Sequence, residues 1–451
     1  MSGLSGTGES LRSRTEGVWS RIPIRAKPED RLTMTTHIAV LGAGITGITT
    51  AFQLWERGFD VTVIDRQRYA GMETSFANGG QLSASNGEVW NSWATVLKGL
   101  KWMARADAPL LVNPTPSWHK LSWMAEFLAA IPNYKANTIE TARMAQAARG
   151  VFHDMAARAG VDFDHKPAGI VHFYKTEKDM ASARKVSALY AQAGLVRKEL
   201  TAAEVAGRVP ELQSDVVGGF VTESDSTGDI HKYTFGLAEW LKRQGVAFEM
   251  GRDITAARAV DDGVEVTLGD DIRRFDAVVV AAGVGSRALA RGFGDRVNIY
   301  PVKGYSITVM LNDARSRQAA PSVSLLDDAA KVVTARLGDD RFRVAGTAEF
   351  NGENRDIRAD RIRPLVAWVE RYFPAVSTET CVPWAGLRPM MPNMMPKVGR
   401  GRHPRVFYNT GHGHLGWTLS GATAAMIGET VGAAFEAEAP RLRPSLALAA
   451  E

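Results

Sequence analysis

Several absences narrow this chain before any motif is considered. It has a single cysteine, Cys381, so no intramolecular disulfide can form and the composition fits a reducing compartment. That thiol has no histidine beside it in sequence, and the reading is an inert buried thiol. No uninterrupted apolar run reaches the length of a membrane-crossing helix. Dense Lys/Arg runs and basic–aromatic repeats are missing, which argues against nucleic acid as a partner. The net charge of +5 is mild, and it suits an anionic substrate or a solvated surface equally well. There is no repeat in the range of roughly 20–50 residues that marks solenoids and propellers. No cluster of Cys and His has metal-ligand spacing, and no acid/base dyad is visible.

What is present is an ordinary globular composition, 45% hydrophobic and 23% charged with 43 glycines. At 451 residues the chain exceeds one compact core, so two domains are expected. Residues 1–34 are polar and rich in Ser, Gly and Arg, with no apolar segment of a secretory signal and with acids that a transit peptide avoids. They read as a flexible arm outside the fold.

The most informative segment runs from His37 to Asp65, HIAVLGAGITGITTAFQLWERGFDVTVID. An apolar strand meets Gly42, Gly44 and Gly47, a helix opening at Ile45 and Thr46 follows, and a second strand ends in Asp65. This is a βαβ unit with a dinucleotide fingerprint. Gly42 serves the turn, Gly44 lets backbone approach a pyrophosphate, and Gly47 lets helix and strand pack closely. The helix N-terminus offers amides and a positive dipole end to phosphates. Asp65 stands where a carboxylate holds ribose hydroxyls. The fingerprint alone leaves NAD and FAD open. The Gly/Ser/Asn loop that begins at Arg66 and carries Ser75, Asn78, Gly79, Gly80 and Gln81 is expected to line the ligand site.

Four later sites extend the pattern. A buried strand, Ala277 to Ala281, runs into Ala282 and Gly283 and suits a cofactor lying across the sheet. Another strand, Arg405 to Asn409, leads into His412, Gly413, His414, Leu415, Gly416, Trp417 and Thr418 at the start of a helix, whose dipole would favour negative charge on a flavin ring. Arg388 lies in the apolar, Pro/Met-rich WAGLRPMMPNMMPKVG, just after Gly386. Its guanidinium needs an anion there, and a substrate carboxylate and a structural acid are equally good candidates. In YPVKGYS (Tyr300 to Ser306), strand alternation places Lys303 and Tyr305 on one side, facing a pocket or merely a core. Between these sites, residues 88–132 are rich in Trp. Trp93, Val96, Leu97, Leu100 and Met103 share one helical face while Lys98, Lys101 and Arg105 share another. Such a basic amphipathic helix packs on its domain or lies on a membrane surface, and packing is the commoner outcome.

Taken in order, VLGAGITG, SFANGGQLS, YPVKGYS, GLRPMMP and NTGHGHLGWT make the chain resemble the FAD-dependent D-amino-acid oxidase superfamily, most of all its bacterial D-amino-acid dehydrogenase branch. KWMARADAPL (Lys101 to Leu110) has the same flavour, and the resemblance spans about residues 37–435. It implies an α/β fold with a Rossmann-type FAD-binding domain and a substrate domain built on a mainly antiparallel sheet with helices. The expected partition is 35–87, 140–165, 225–295 and 385–438 for FAD, and 88–139, 166–224 and 296–384 for substrate. It implies that Arg388 grips the substrate carboxylate, helped by Tyr305, while a D-amino acid loses hydride to FAD and the imino acid is hydrolysed to a 2-oxo acid and ammonia. Electrons would pass to a quinone or another respiratory acceptor, in the cytoplasm or at the cytoplasmic membrane surface. Where that branch carries a Thr-Pro-Asp-Gly-like run, this chain has Met391-Pro392-Asn393-Met394. That departure admits D-proline, hydroxyproline or sarcosine/glycine-type secondary amines as alternatives, and a subunit of a multi-chain dehydrogenase as another.

Overall fold

The computed structural model describes residues 36–102 and 109–437. The arm, Met103 and Arg105, the side chains of Leu100 and Lys101, and the final residue of the 385–438 segment lie outside the described residues.

The fingerprint strand His37–Leu41 sits inside a six-stranded sheet. It is flanked in parallel by Asp60–Asp65 and Ala277–Val280, and Val406–Thr410 and Ala247–Met250 lie next outward. Only the edge strand Lys397–Arg400 runs antiparallel. A parallel sheet is covered on both faces, and for that reason IAVL and AVVV read as continuous apolar runs. Alternate residues serve the two faces. Ile38, Val40, Val61 and Val63 pack with Ile48 and Phe52 of the helix Ile45–Glu56, and with Ile427 of the closing helix Gly416–Glu436. On the other face, Ala39, Leu41 and Ile64 pack against Val264 and Val266 of a three-stranded meander.

The second layer is a nine-stranded sheet, antiparallel at most of its pairings. Its core joins Tyr305, Ile307 and Val309 of strand Tyr300–Met310 to Phe342, Val344 and Trp368. One strand of this sheet, Cys381–Met390, is absent from the sequence reading because prolines and methionines mask its alternation. It is an end strand of the sheet and pairs with Tyr300–Met310 from Cys381 to Met390. An edge tolerates Pro383 and Pro389 because a missing N–H there interrupts no ladder.

That pairing moves a boundary. A cut at 385 falls inside Cys381–Met390, so residues 385–390 belong to the nine-stranded sheet, and a cut at 140 falls inside the helix Tyr134–Ala159. Cys381 is half-buried rather than enclosed. In the helix Trp93–Trp102 the apolar face does not pack inward: Trp93 is 62% and Leu97 59% exposed. Trp118, on the helix Trp118–Ala129, is 81% exposed. No helix among the described residues is long and apolar enough to cross a membrane.

Candidate active site

A cavity of about 1420 Å³ lies between the two sheets. Single small-molecule pockets measure roughly 300–1,000 Å³, so this one has room for an extended dinucleotide together with a second ligand. Two helices start at its wall, Ile45–Glu56 and Gly416–Glu436. Neither has a side-chain cap or an acid in its first turn. Uncapped helix starts leave amides that a ligand can take, the Ile45 amide excepted because Ser75 accepts from it, and both ends favour negative charge.

At the first of these helices the turn is made by backbone. Gly42 has φ +115°, and a Cβ there would stand 2.6 Å from the Ala281 carbonyl oxygen. A Cβ on Gly47 would come within 1.8 Å of the Gly42 carbonyl oxygen. The Ile45 amide donates to Ser75 Oγ at 3.0 Å. Asp65 accepts from the Ala43 amide at 2.6 Å and from the Gln67 amide at 2.7 Å. Burial raises its carboxyl pKa, while these two amides pull it down. The same carboxylate therefore shapes the turn and faces the cavity. Arg66 pairs with Glu73 at 2.7 Å beside it.

The other end is built from side chains of distant segments. Arg388 lines the cavity from the edge strand. Its Nη1 donates to the Thr347 carbonyl at 2.9 Å, and no carboxylate pairs with it among the described residues. Burial alone lowers its pKa to about 10. The guanidinium lies over Gly304, where a Cβ would stand 2.3 Å from Nη2. Thr347 has φ +57°, a strained value for a β-branched residue, and it turns its carbonyl to Arg388. His414 stacks on Trp90 at 5.0 Å and 19°, and its Nε2 lies 3.3 Å from the Asn86 carbonyl. Because a carbonyl only accepts, Nε2 carries the proton. Burial first, then the Arg388 charge, lowers its pKa to about 4. His412 bonds Thr423 Oγ1 at 2.9 Å, and burial lowers it to about 3. Both imidazoles are neutral at pH 7.

Most of the residues expected from sequence reach this one cavity: Gly42, Gly44, Ile45, Thr46, Asp65, Arg66, Ser75, Asn78, Gly79, Gln81, Ala282, Gly283, Tyr305, Arg388 and the run His412 to Thr418. Three glycines do not. Gly47 packs on the Gly42 turn, Gly80 abuts Ala335 Cβ, and Gly386 gives room to the Trp384 ring. Their missing side chains serve contacts within the protein. Tyr305 reaches the cavity, yet its hydroxyl donates to Glu349 at 2.7 Å. Its one proton is committed, which removes it as a donor to a substrate carboxylate. Lys303 is buried and bonded to Asn354 Oδ1 at 2.5 Å, away from the cavity wall. The Met391–Met394 run is a turn: Met394 has φ +62°, and Asn393 Oδ1 accepts the Met395 amide at 3.2 Å. Asn and Met thus take over the turn positions of the Asp and Gly in the resembling run.

Sequence reasoning passed over Thr347, Gly304 as the seat of Arg388, and a polar group of Ser85, His172, Asp328 and Lys331 on the same cavity wall. None of these stands in a motif, and only their convergence marks them.

The sequence model of the family described as FAD dependent oxidoreductase matches residues 37–430. A relative from Mesorhizobium japonicum, D-amino acid dehydrogenase 3, is 58% identical over 402 residues, covering 87% of this chain and 96% of that protein. D-amino acid dehydrogenase from Dechloromonas aromatica is 38% identical over 423 residues, 90% of this chain and 100% of that protein. Among solved structures, glycine oxidase from Geobacillus kaustophilus superposes with a TM-score of 0.68 at 18% identity, over 88% of this chain and 95% of the other. L-Proline dehydrogenase from P. horikoshii gives 0.67 at 16%, over 89% and 94%. At such identities these two likenesses speak for the fold.

Proposed function

The chain belongs to the family of FAD-dependent oxidoreductases, and from that premise we propose that it oxidises D-amino acids to 2-oxo acids and ammonia. The observation that carries the proposal is Arg388. A guanidinium held in a cavity wall without a carboxylate partner among the described residues calls for an anion, and an α-carboxylate matches its fork. The names of the relatives supply the D-configuration.

The residues present fit FAD. The two uncapped helix starts offer amides at the cavity wall, one for a diphosphate and one for the electron-rich edge of a flavin ring. Gly42, Gly44, Ile45, Thr46, Ser75 and Asp65 would hold the nucleotide half. Ala282, Gly283 and the run His412 to Thr418 would hold the ring half. FAD supplies the two-electron acceptor for the substrate Cα–H. The chain itself does the positioning. Arg388, braced by the Thr347 carbonyl and by the flat surface at Gly304, fixes the carboxylate and with it the direction of the Cα–H. His414 and Trp90 form a neutral, close-packed wall that keeps water away from the guanidinium and strengthens its grip. Tyr305 at the cavity and Lys303 behind it act by holding Glu349.

Electrons then go to a quinone or a similar respiratory acceptor. Support for this finer reading comes from Trp93, Leu97, Trp118, Leu121 and Leu128, exposed apolar residues on the two helices that also wall the cavity. Such a face suits a lipid-soluble acceptor and a peripheral membrane contact.

The test is an anaerobic spectrum of the purified holoenzyme. Its yellow absorbance bleaches with D-alanine or D-proline and not with the L-forms. Absence of bleaching with any amino acid overturns the proposal. In Arg388→Ala, bound FAD is retained and kcat/KM for D-amino acids falls by roughly a hundredfold, about 3 kcal/mol. An unchanged KM removes Arg388 from this role. Oxygen uptake without an added dye would replace the quinone by oxygen as acceptor.

A further inference from the structure

The turn that joins strand Ser324–Asp327 to strand Val332–Leu337 stands on the cavity wall, and nothing above gives it a task. Asp327 is buried beneath it. Its carboxylate accepts from the Trp368 indole and from the amides of Ala329 and Ala330, each at 3.0 Å, and these bonds fix the turn. The next residue, Asp328, lines the cavity together with Lys331. Lys331 holds φ +56°, a left-handed conformation that residues with a Cβ rarely adopt, and such positions cluster at ligand sites. Its Nζ donates to Asp328 Oδ1 at 3.3 Å.

This ion pair is held in place but not used up. Asp328 Oδ2 accepts from the Tyr174 hydroxyl at 2.7 Å and lies 3.4 Å from His172 Nδ1. Ser85 Oγ, 2.9 Å from His172 Nε2, backs the imidazole in turn. Asp328 Oδ1 receives only the long Lys331 contact among the described residues, and Lys331 spends one of three protons on it. The Lys331 side chain is 50% and that of Asp328 33% exposed, and the surface left open belongs to the cavity they line. Burial opposes both charges. The Asp328 carboxyl is nevertheless held well below the usual range by Lys331, His172 and Tyr174, and Lys331 is raised by Asp328 and Glu88. His414 joins this wall to the substrate clamp, because the charges of Arg388 and Lys331 both act on its ring.

We propose that Asp328 and Lys331 form a subsite for the substrate side chain, and that it selects D-amino acids ending in an uncharged hydroxyl or carboxamide, such as D-serine, D-asparagine and D-glutamine. The inference rests on the amine-oxidising reading given above. Charge makes the selection. A carboxylate brought to Lys331 meets Asp328 and also Glu88, which lines the same cavity and whose charge acts on Lys331. An ammonium or guanidinium brought to Asp328 meets Lys331. Either ion leaves water for a place where attraction and repulsion oppose each other. An apolar side chain leaves the free Nζ protons and the open side of Oδ1 without partners. A carboxamide satisfies both: its oxygen accepts from Lys331 Nζ and its NH2 donates to Asp328 Oδ1, each in a charge-assisted bond. A hydroxyl does the same with one atom. Arg388 holds the α-carboxylate meanwhile, and Tyr174 and His172 position Asp328 from behind.

D-Asparagine, D-leucine and D-aspartate are close in size and differ in polarity and charge, as do D-glutamine, D-methionine and D-glutamate. The FAD-loaded enzyme is mixed anaerobically with each of them and with D-lysine, and the second-order rate of flavin bleaching is measured. In the wild type the better of the two amides exceeds its apolar and its acidic counterpart by about tenfold or more. Asp328→Asn removes the negative member of the pair and raises the rate with the acidic counterpart, relative to the amide, by about tenfold. Lys331→Met removes the positive member and raises D-lysine relative to the amide by about as much. These opposite shifts are what a structural role would not produce. Equal bleaching of the wild type by amide and apolar counterpart overturns the subsite, and so does a wild-type preference for an acidic substrate or D-lysine. A loss in both variants that is the same for every substrate overturns it too. If the wild type is bleached by no D-amino acid, the functional reading has failed; if D-amino acids bleach it without preference for the amides, only the subsite has.

Discussion

The two ends of the cavity are made of different material. The end proposed for the nucleotide is mostly backbone: a left-handed glycine turn, a helix start, and Asp65 clasped by two amides, all within residues 42–67. The end proposed for the substrate is mostly side chain: Arg388, Gly304, Thr347, His414 and Trp90 come from five separate stretches. Backbone recognition needs particular residues at short spacing, so it leaves a motif. Side-chain recognition needs only that distant residues meet, and it leaves none.

The largest expected effect lies at the backbone end. Gly47→Val drives a side chain into the Gly42 carbonyl, and no neighbour there can yield. Bound flavin per polypeptide should fall to near zero, with about 3 kcal/mol lost from folding. A fully loaded Gly47→Val enzyme would erase the contrast between the two ends.

Gly304→Ala is the corresponding change at the side-chain end, and its effect should be smaller and of another kind. Its Cβ displaces the Arg388 guanidinium, a flexible group that can move aside. FAD content stays, while KM for D-amino acids rises about tenfold, roughly 1.4 kcal/mol. If flavin is lost instead, the two ends are not separable.

Near neutral pH the smallest effect is one of titration. His412 titrates at about 3 in the folded chain and near 6.5 when unfolded. Its folded pKa is depressed, so its contribution to stability is complete above pH 6.5 and is lost as pH falls toward 3. The slope is at most about 1.4 kcal/mol per pH unit. The melting temperature of the holoenzyme should decline steadily over that window, and a Tm unchanged down to pH 4 would show that His412 is charged or exposed.

Legibility followed the same division. The fingerprint strand, its helix and the apolar run Ala277–Val280 were readable because burial on both sheet faces dictates their composition. The strand Cys381–Met390 was not, since an edge position relaxes the rule against proline, and the domain boundary at 385 went astray with it. Tyr305 was readable as a cavity residue but not as a bonded one, because Glu349 lies 44 residues away. The helix Trp93–Trp102 carries the pattern of a packed amphipathic helix, yet Trp93 and Leu97 stand in solvent. Periodicity identifies a face but not what covers it.

The amino-acid sequence by itself determined the nucleotide-binding unit, the need of Arg388 for an anion, and the α/β class with its antiparallel partner sheet. These follow from local sterics, dipoles and strand periodicity, which act over a few residues. Only the tertiary structure decided that no acid among the described residues pairs with Arg388, that Tyr305 is spent on Glu349, and that Ser85, His172 and Asp328 stand in a row. Each is a matter of which side chains share one buried space, and that is settled by how two sheets pack rather than by any segment of either.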